Sequence, residues 1–204
     1  MRLIRFKITS FITEKSHLCY GWYVSAKKGN FRKLIAYQKA ECIYDITFYF
    51  ANTYLTKGDR TVDQMVQAAR SGKQNIAEGA AAAASSAEME IKLINVAKAS
   101  LQELLLDYED FLRVRNLALW DVNSEKAKTA RKVCSRHNDS SFYLDAIRHR
   151  SPETIANIAI TIIHQTDVIL RKLIERLQQD FLHNGGIKEQ MYRARINYRN
   201  RHES

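Results

Sequence analysis

The chain has 204 residues, a formal net charge of +10 and 46% apolar residues, with only 1 proline and 7 glycines. That apolar content can bury a core without disulfides. The scarcity of chain-reversing residues excludes a strand-and-turn architecture, so an all-α fold is expected. Charged residues at 26% argue against a chain disordered throughout. Cys19, Cys42 and Cys134 are odd in number and far apart, which predicts free thiols in a reducing, cytoplasmic setting. No apolar run follows Arg2, Arg5 and Lys7 as a secretory signal requires, and none approaches the roughly 20 residues that cross a bilayer, so no membrane partner is expected.

Residues 1–30 lack sustained periodicity. They read as an N-terminal extension: a docked segment, a disordered arm, or translation from an upstream start. A first helix is expected over 31–55, where Leu34, Ile35, Cys42, Ile43, Ile46, Tyr49 and Phe50 cover more than one stripe. Such a helix needs more than one neighbour, inside the chain or in a second subunit. Thr61 with Gln64 fits a capping box opening a second helix over 61–78, with Met65, Ala69, Gly72 and Ile76 on one face. Ser85 with Glu88 fits another box, opening a third helix over 86–115 whose buried stripe is Leu93, Ala97, Leu101, Leu104, Leu105, Tyr108 and Leu112. Residues 116–150 read as a polar, basic connector with one short helix, long for a bundle connection. Ser151-Pro152-Glu153 is a strong helix start, and the fourth helix over 151–183 places Ile155, Ile158, Ile162, Thr166, Ile169, Leu173, Leu177 and Phe181 inward. Gly185-Gly186 should stop it, leaving residues 184–204 as a basic suffix that is amphipathic if helical, with Ile187, Met191, Ala194 and Tyr198 on one face.

The four predicted helices are electrically balanced, and the positive excess sits elsewhere. Residues 1–30 hold 6 basic against 1 acidic side chain, residues 122–150 hold 7 against 3, and residues 184–204 hold 5 against 2. This pattern suits a polyanionic partner, or it serves solubility alone. The candidate nucleic-acid contacts are Lys126, Lys128, Arg131 and Lys132 in the connector, and Arg193, Arg195, Arg199 and Arg201 in the suffix. Tyr192 and Tyr198 interleave with the suffix arginines, as phosphate contact combined with base stacking requires.

Catalytic and metal motifs are not apparent. No phosphate loop, HExxH or paired-cysteine pattern occurs. Glu14 and His17 form one ExxH spacing, whereas a bundle di-iron site needs two, with further glutamates. His164 near Asp167 reads as a core or interfacial histidine. A non-enzymatic chain without cofactor or metal is therefore expected. A hydrolase acting through a carboxylate such as Glu78 is the least favoured reading. The acids Glu103, Asp107, Glu109 and Asp110 are expected to pair with Lys98, Arg113 or Arg115, or across subunits.

Residues 64–79, QMVQAARSGKQNIAEG, carry Gln64, Ala68, Ala69, Asn75, Ile76, Ala77, Glu78 and Gly79, and the following helix carries Ala97, Ser100, Glu103 and Leu104. This pattern resembles the four-helix-bundle family named for open reading frames in the intervening sequences of bacterial 23S rRNA, in its longer, suffix-bearing form. In the motif, Asn75 and Glu78 are expected to bond neighbouring backbone or a facing helix, and Gly79 to supply helix-end freedom. The resemblance implies an up-and-down four-helix bundle over 31–183 that associates into a ring, typically a homopentamer. A related member is the accessory protein of diversity-generating retroelements, which binds a reverse transcriptase and nucleic acid. The expected function is a homo-oligomeric adaptor for nucleic acid or a ribonucleoprotein. The alternative is a protein–protein scaffold, for example a reverse-transcriptase accessory protein, without direct nucleic-acid contact.

Overall fold

A computed structural model describes residues 30–56 and 58–202. The expected N-terminal extension, Asn30 apart, lies outside the described residues, as do Cys19, Glu14 and His17. The described chain is all-helical. A 3-10 turn, Phe31–Lys33, precedes α1 (Ile35–Tyr54), α2 (Arg60–Ala82), α3 (Ala87–Val114), α4 (Glu125–Arg136), α5 (Ser140–Ile147), α6 (Pro152–Asn184) and α7 (Ile187–His202). The helices exceed the four expected, because the connector holds two and the suffix is a third.

Local chemistry sets the helix ends. Asp59, not the Thr61/Gln64 pair, opens α2: its carboxylate accepts from the Thr61 amide at 2.9 Å, where the helix dipole favours an anion. Ser86, not Ser85, opens α3 by accepting from the Met89 amide at 3.1 Å, while the Ser85 hydroxyl turns back to the Ala82 carbonyl. Ser151 and Pro152 open α6 as expected. Gly185 closes it at φ +69°, a conformation that side-chain-bearing residues resist.

The long helices α1, α2, α3 and α6 each pack against two of the others: α2 on α3, α3 on α6, and α1 on both α2 and α6. The α2–α3 seam is the closest. At Gly72 a Cβ would stand 2.7 Å from Leu101 Cδ2, and at Gly79 it would stand 3.2 Å from Ile94 Cδ1. The missing side chains let the helices approach, and Ser71 and Ser100 exchange a hydrogen bond across the seam at 2.9 Å. Gly79 lies inside α2 without a positive φ, so its expected role in helix-end freedom gives way to close packing. Phe50 meets Phe111 edge-on at 4.7 Å and Tyr108 at 5.1 Å. The buried Tyr108 hydroxyl donates to Thr47 Oγ1 at 3.0 Å, which in turn donates to the Ile43 carbonyl.

The connector is docked along its length. Asn157 of α6 accepts from the Trp120 amide at 2.8 Å and donates to the Ala118 carbonyl at 2.9 Å, pinning the chain between α3 and α4. Helix α4 rests on α6, and α5 on α1. This cover supplies an additional neighbour that the multi-striped α1 needs. Lys39 of α1 is only 2% exposed, and its ammonium donates to the carbonyls of Cys134 and His137 (2.8 Å to the latter) at the C-terminal end of α4. The Tyr143 hydroxyl of α5 donates to the same His137 carbonyl at 2.9 Å. A buried cation at the negative end of a helix thus ties α1, α4 and α5 together.

This cluster has a pH consequence. Burial pushes the Cys42 thiol up from 9.0 to about 12, and also raises Cys134, Tyr143 and Tyr108. Their folded pKa values exceed the unfolded ones, so the unfolded chain releases these protons first. Their stabilisation is complete below the ordinary thiol value and is lost as pH climbs above it. Burial lowers Lys39 and acts in the opposite sense, adding stability as pH rises toward 10.5. The two thiols act from about pH 9 and the two tyrosines only from about pH 10, against the one lysine, so urea unfolding midpoints are expected to fall between pH 9 and pH 11. A constant or rising midpoint would contradict this assignment.

Candidate nucleic-acid interface

Each predicted contact residue has a distinct setting. On α4, Ser124 caps the helix by accepting from the Ala127 amide, and Ala127 and Cys134 are buried. The opposite face is therefore solvated. Lys126 and Lys132 are exposed. Lys128 is exposed and paired with Glu125 at 2.7 Å. Arg131 is half-buried and donates to the Val122 carbonyl at 2.7 Å, holding the loop that leads into α4. Its role is at least partly structural. Arg136 is absent from the sequence-based candidates, yet Lys128, Lys132 and Arg136 recur every fourth residue and form one row along α4. The i, i+4, i+8 spacing is the signal that reveals it. Exposed Arg148, His149 and Arg150 follow α5.

On α7, Arg193, Arg195, Arg199 and Arg201 are all exposed, and among its described residues none is buried. Tyr192 and Tyr198 are 67% and 66% exposed. The expected apolar face of Ile187, Met191, Ala194 and Tyr198 is present as a helix face and lies open. The two basic groups do not merge along α6. Helix α4 meets α6 at Gln165, whose amide donates to the Arg131 carbonyl at 2.9 Å, and the end of α6 lies roughly 30 Å further along at 1.5 Å per residue.

The structural motif divides in the same way. Asn75 is half-buried and donates to the Ser71 carbonyl at 2.9 Å, bonding its own helix. Glu78 is exposed. Gln64 is exposed and lines an open, acidic groove of about 640 Å³ with Arg60, Asp63, Gln67, Glu103 and Asp107. Burial, then Asp110 and Glu103, raises the Asp107 carboxyl above the ordinary range. Among the acids expected to pair, Asp110 meets Arg113 at 2.7 Å. Lys98 turns to Asp167 at 3.9 Å, and Arg115 lies 4.2 Å from the Phe111 ring centroid. His164, expected in the core or at an interface, stands exposed on α6.

Among the described residues no group of three or more His, Cys, Asp or Glu side chains could hold a metal ion. Among them, too, no helix is long and apolar enough to cross a membrane. The chain matches no protein-family model, no curated protein and no solved structure.

Proposed function

We propose that this chain is a non-enzymatic, homo-oligomeric adaptor that binds nucleic acid or a ribonucleoprotein. In this reading α1, α2, α3 and α6 form an up-and-down four-helix bundle of the rRNA-intervening-sequence type. They assemble into a ring, a pentamer by that resemblance, in the cytoplasm. The basic connector helix and the suffix present the contacts. The observation that carries the reading is α7, a helix with no buried residue, four exposed arginines and two exposed tyrosines. A helix that buries nothing gains little from the core, so its stable use lies in a partner. Its composition suits a flexible polyanion: guanidinium groups for phosphates and aromatic rings for bases.

The test is binding of short labelled RNA and DNA to nuclease-treated protein across a salt series, beside a chain truncated before Gly185. The expected result is a steep loss of affinity with salt. Truncation should weaken binding at least tenfold and make the salt slope shallower by about 0.7 for each single-strand phosphate contact removed. If neither nucleic acid binds at low salt, the adaptor reading fails.

One observation favours a protein scaffold as the second reading. Leu182 at the end of α6 is 81% exposed, and Ile187 and Met191 of α7 leave further apolar surface open. A protein partner would cover it. Co-purification of one protein, without nucleic acid, is the outcome that selects this reading.

A further inference from the structure

The geometry points to a nucleobase-binding groove between α1 and α2 that takes a base of single-stranded nucleic acid. The inference rests on the reading of the chain as a nucleic-acid binder and adds a surface that uses none of the basic residues of α4 or α7. Its floor follows from the periodicity of α1. Tyr37, Tyr44 and Phe48 fall at i, i+7 and i+11, on one face. Helices α2, α6 and α5 pack against α1; along this face Tyr37 is buried, Tyr44 is half-buried and Phe48 is exposed, so the strip opens toward its Phe48 end. Phe31 extends it from the 3-10 turn, its ring edge-on to Tyr37 at 4.8 Å. Tyr44 and Phe48 lie 6.3 Å apart, and Phe48 is 52% exposed.

The wall comes from α2, where Arg70, Lys73, Gln74 and Ala77 line a cavity of about 270 Å³ together with Phe31, Tyr37 and Tyr44, and Phe48 flanks it beside Tyr44. That volume lies just below the range of pockets for drug-sized ligands, so it suits one ring system rather than a whole nucleotide. The ammonium of Lys73 stands 4.1 Å from the Tyr44 ring centroid, and Arg32 stands 5.4 Å from the Phe31 centroid. Cations thus lie over the rings of the aromatic floor. Acidic groups also neighbour it: Glu41 accepts from the Tyr37 hydroxyl at 3.4 Å, and Asp45 is engaged by the Ser140 hydroxyl. Arg32, Arg70 and Lys73 outnumber these two carboxylates, so the groove favours an anion. A base stacked on exposed Phe48, or on Tyr44 with the Lys73 ammonium swung from the ring to a phosphate, would combine stacking with the α2 cations as single-stranded binders do. The amide of Gln74 can both donate to and accept from a base edge.

The experiment compares a short oligouridylate and oligothymidylate with an abasic oligonucleotide of the same length. The proteins are the full chain, Phe48→Ala, Tyr44→Leu and Lys73→Ala. Circular dichroism and thermal melting check that each variant keeps its fold, and sedimentation checks its association state. Each aromatic substitution is expected to weaken the base-bearing oligonucleotides about tenfold while leaving the abasic one and the salt slope unchanged, because stacking and not charge is lost. Lys73→Ala should weaken all three. Photocrosslinks from the oligouridylate should map to the peptide that contains Tyr44 and Phe48. A preference for oligouridylate or oligothymidylate would decide between RNA and DNA.

The groove is overturned if the aromatic variants bind like the unaltered chain while truncation before Gly185 still abolishes binding; the adaptor reading then survives alone. It is also overturned if Phe48→Ala shifts the association state without changing affinity, which would make the strip a contact between copies. If the unaltered chain binds no oligonucleotide, the adaptor reading and the groove fall together.

Discussion

Replacing Gly72 with valine is expected to destabilise the protein by about 3 kcal/mol, the upper part of the usual cost of overpacking a core. For a chain of this size that is a fall in melting temperature of roughly 6–12 °C. The reason is geometric. A Cβ at this position would stand 2.7 Å from Leu101 Cδ2 and 2.8 Å from Leu101 Cγ, and Leu101 is itself fully buried. The leucine cannot swing away without displacing its own neighbours, and a β-branched side chain adds further atoms at the same point. Gly79→Ala provides the comparison. Its Cβ would press on the tip of Ile94 at 3.2 Å and meet Ile94 Cγ1 and the Glu90 carbonyl at ordinary contact distances of 3.4 and 3.5 Å. Alanine in a helix interior gains about 1 kcal/mol over glycine, so that variant should be near neutral. Calorimetry of the two variants tests the seam. Equal melting temperatures would show that the α2–α3 distance adjusts freely, contrary to the packing described.

Lys39→Met is the second large effect, about 1–3 kcal/mol, the cost of leaving buried carbonyls short of a donor. Methionine keeps most of the length and apolar bulk of the lysine stem but cannot donate to Cys134 and His137. Tyr143 still reaches the His137 carbonyl, and stands 3.4 Å from that of Cys134, so the loss is partial. The effect should be local. Because the orphaned carbonyls belong to the last turn of α4 and its cap, amide exchange should accelerate in α4 and α5 more than in α2 or α3. Tyr143→Phe in the same background should cost more than in the unaltered chain, since the two donors share an acceptor. Uniform acceleration across all helices, or strict additivity, would show that Lys39 does not hold the connector.

The α2 stripe is legible in the amino-acid sequence: Met65, Ala69, Gly72 and Ile76, which share a face by spacing, are all buried. So are the start of α6 at Ser151-Pro152 and its stop at Gly185. The α3 stripe deduced from periodicity is one position off at its beginning, where Ile94 and not Leu93 is buried. Ile94 fills the space opposite Gly79, a partner on another helix that period alone does not reveal. The capping residues differ by one or two positions from those expected, because neighbouring Ser, Thr and Asp side chains compete for the same amides. Of the candidate contacts, the suffix arginines stand exposed as their composition suggests. Arg131 turns inward because a loop carbonyl lies within its reach.

The sequence by itself determined the four long helices, to within about a turn of their ends, and where the charge lies. These depend on residues three or four apart, whose periodicity and capping chemistry act within one or two turns. Only the tertiary structure decided that the connector folds back as two docked helices and that a buried lysine holds it. It alone set Phe31, Tyr37 and Tyr44 beside Arg70 and Lys73. Lys39 and the carbonyls it binds lie 95 and 98 residues apart in the chain, and the aromatic strip and its cations belong to different helices. Such contacts arise only when amphipathic helices choose their neighbours, and that choice minimises exposed apolar area over the whole chain.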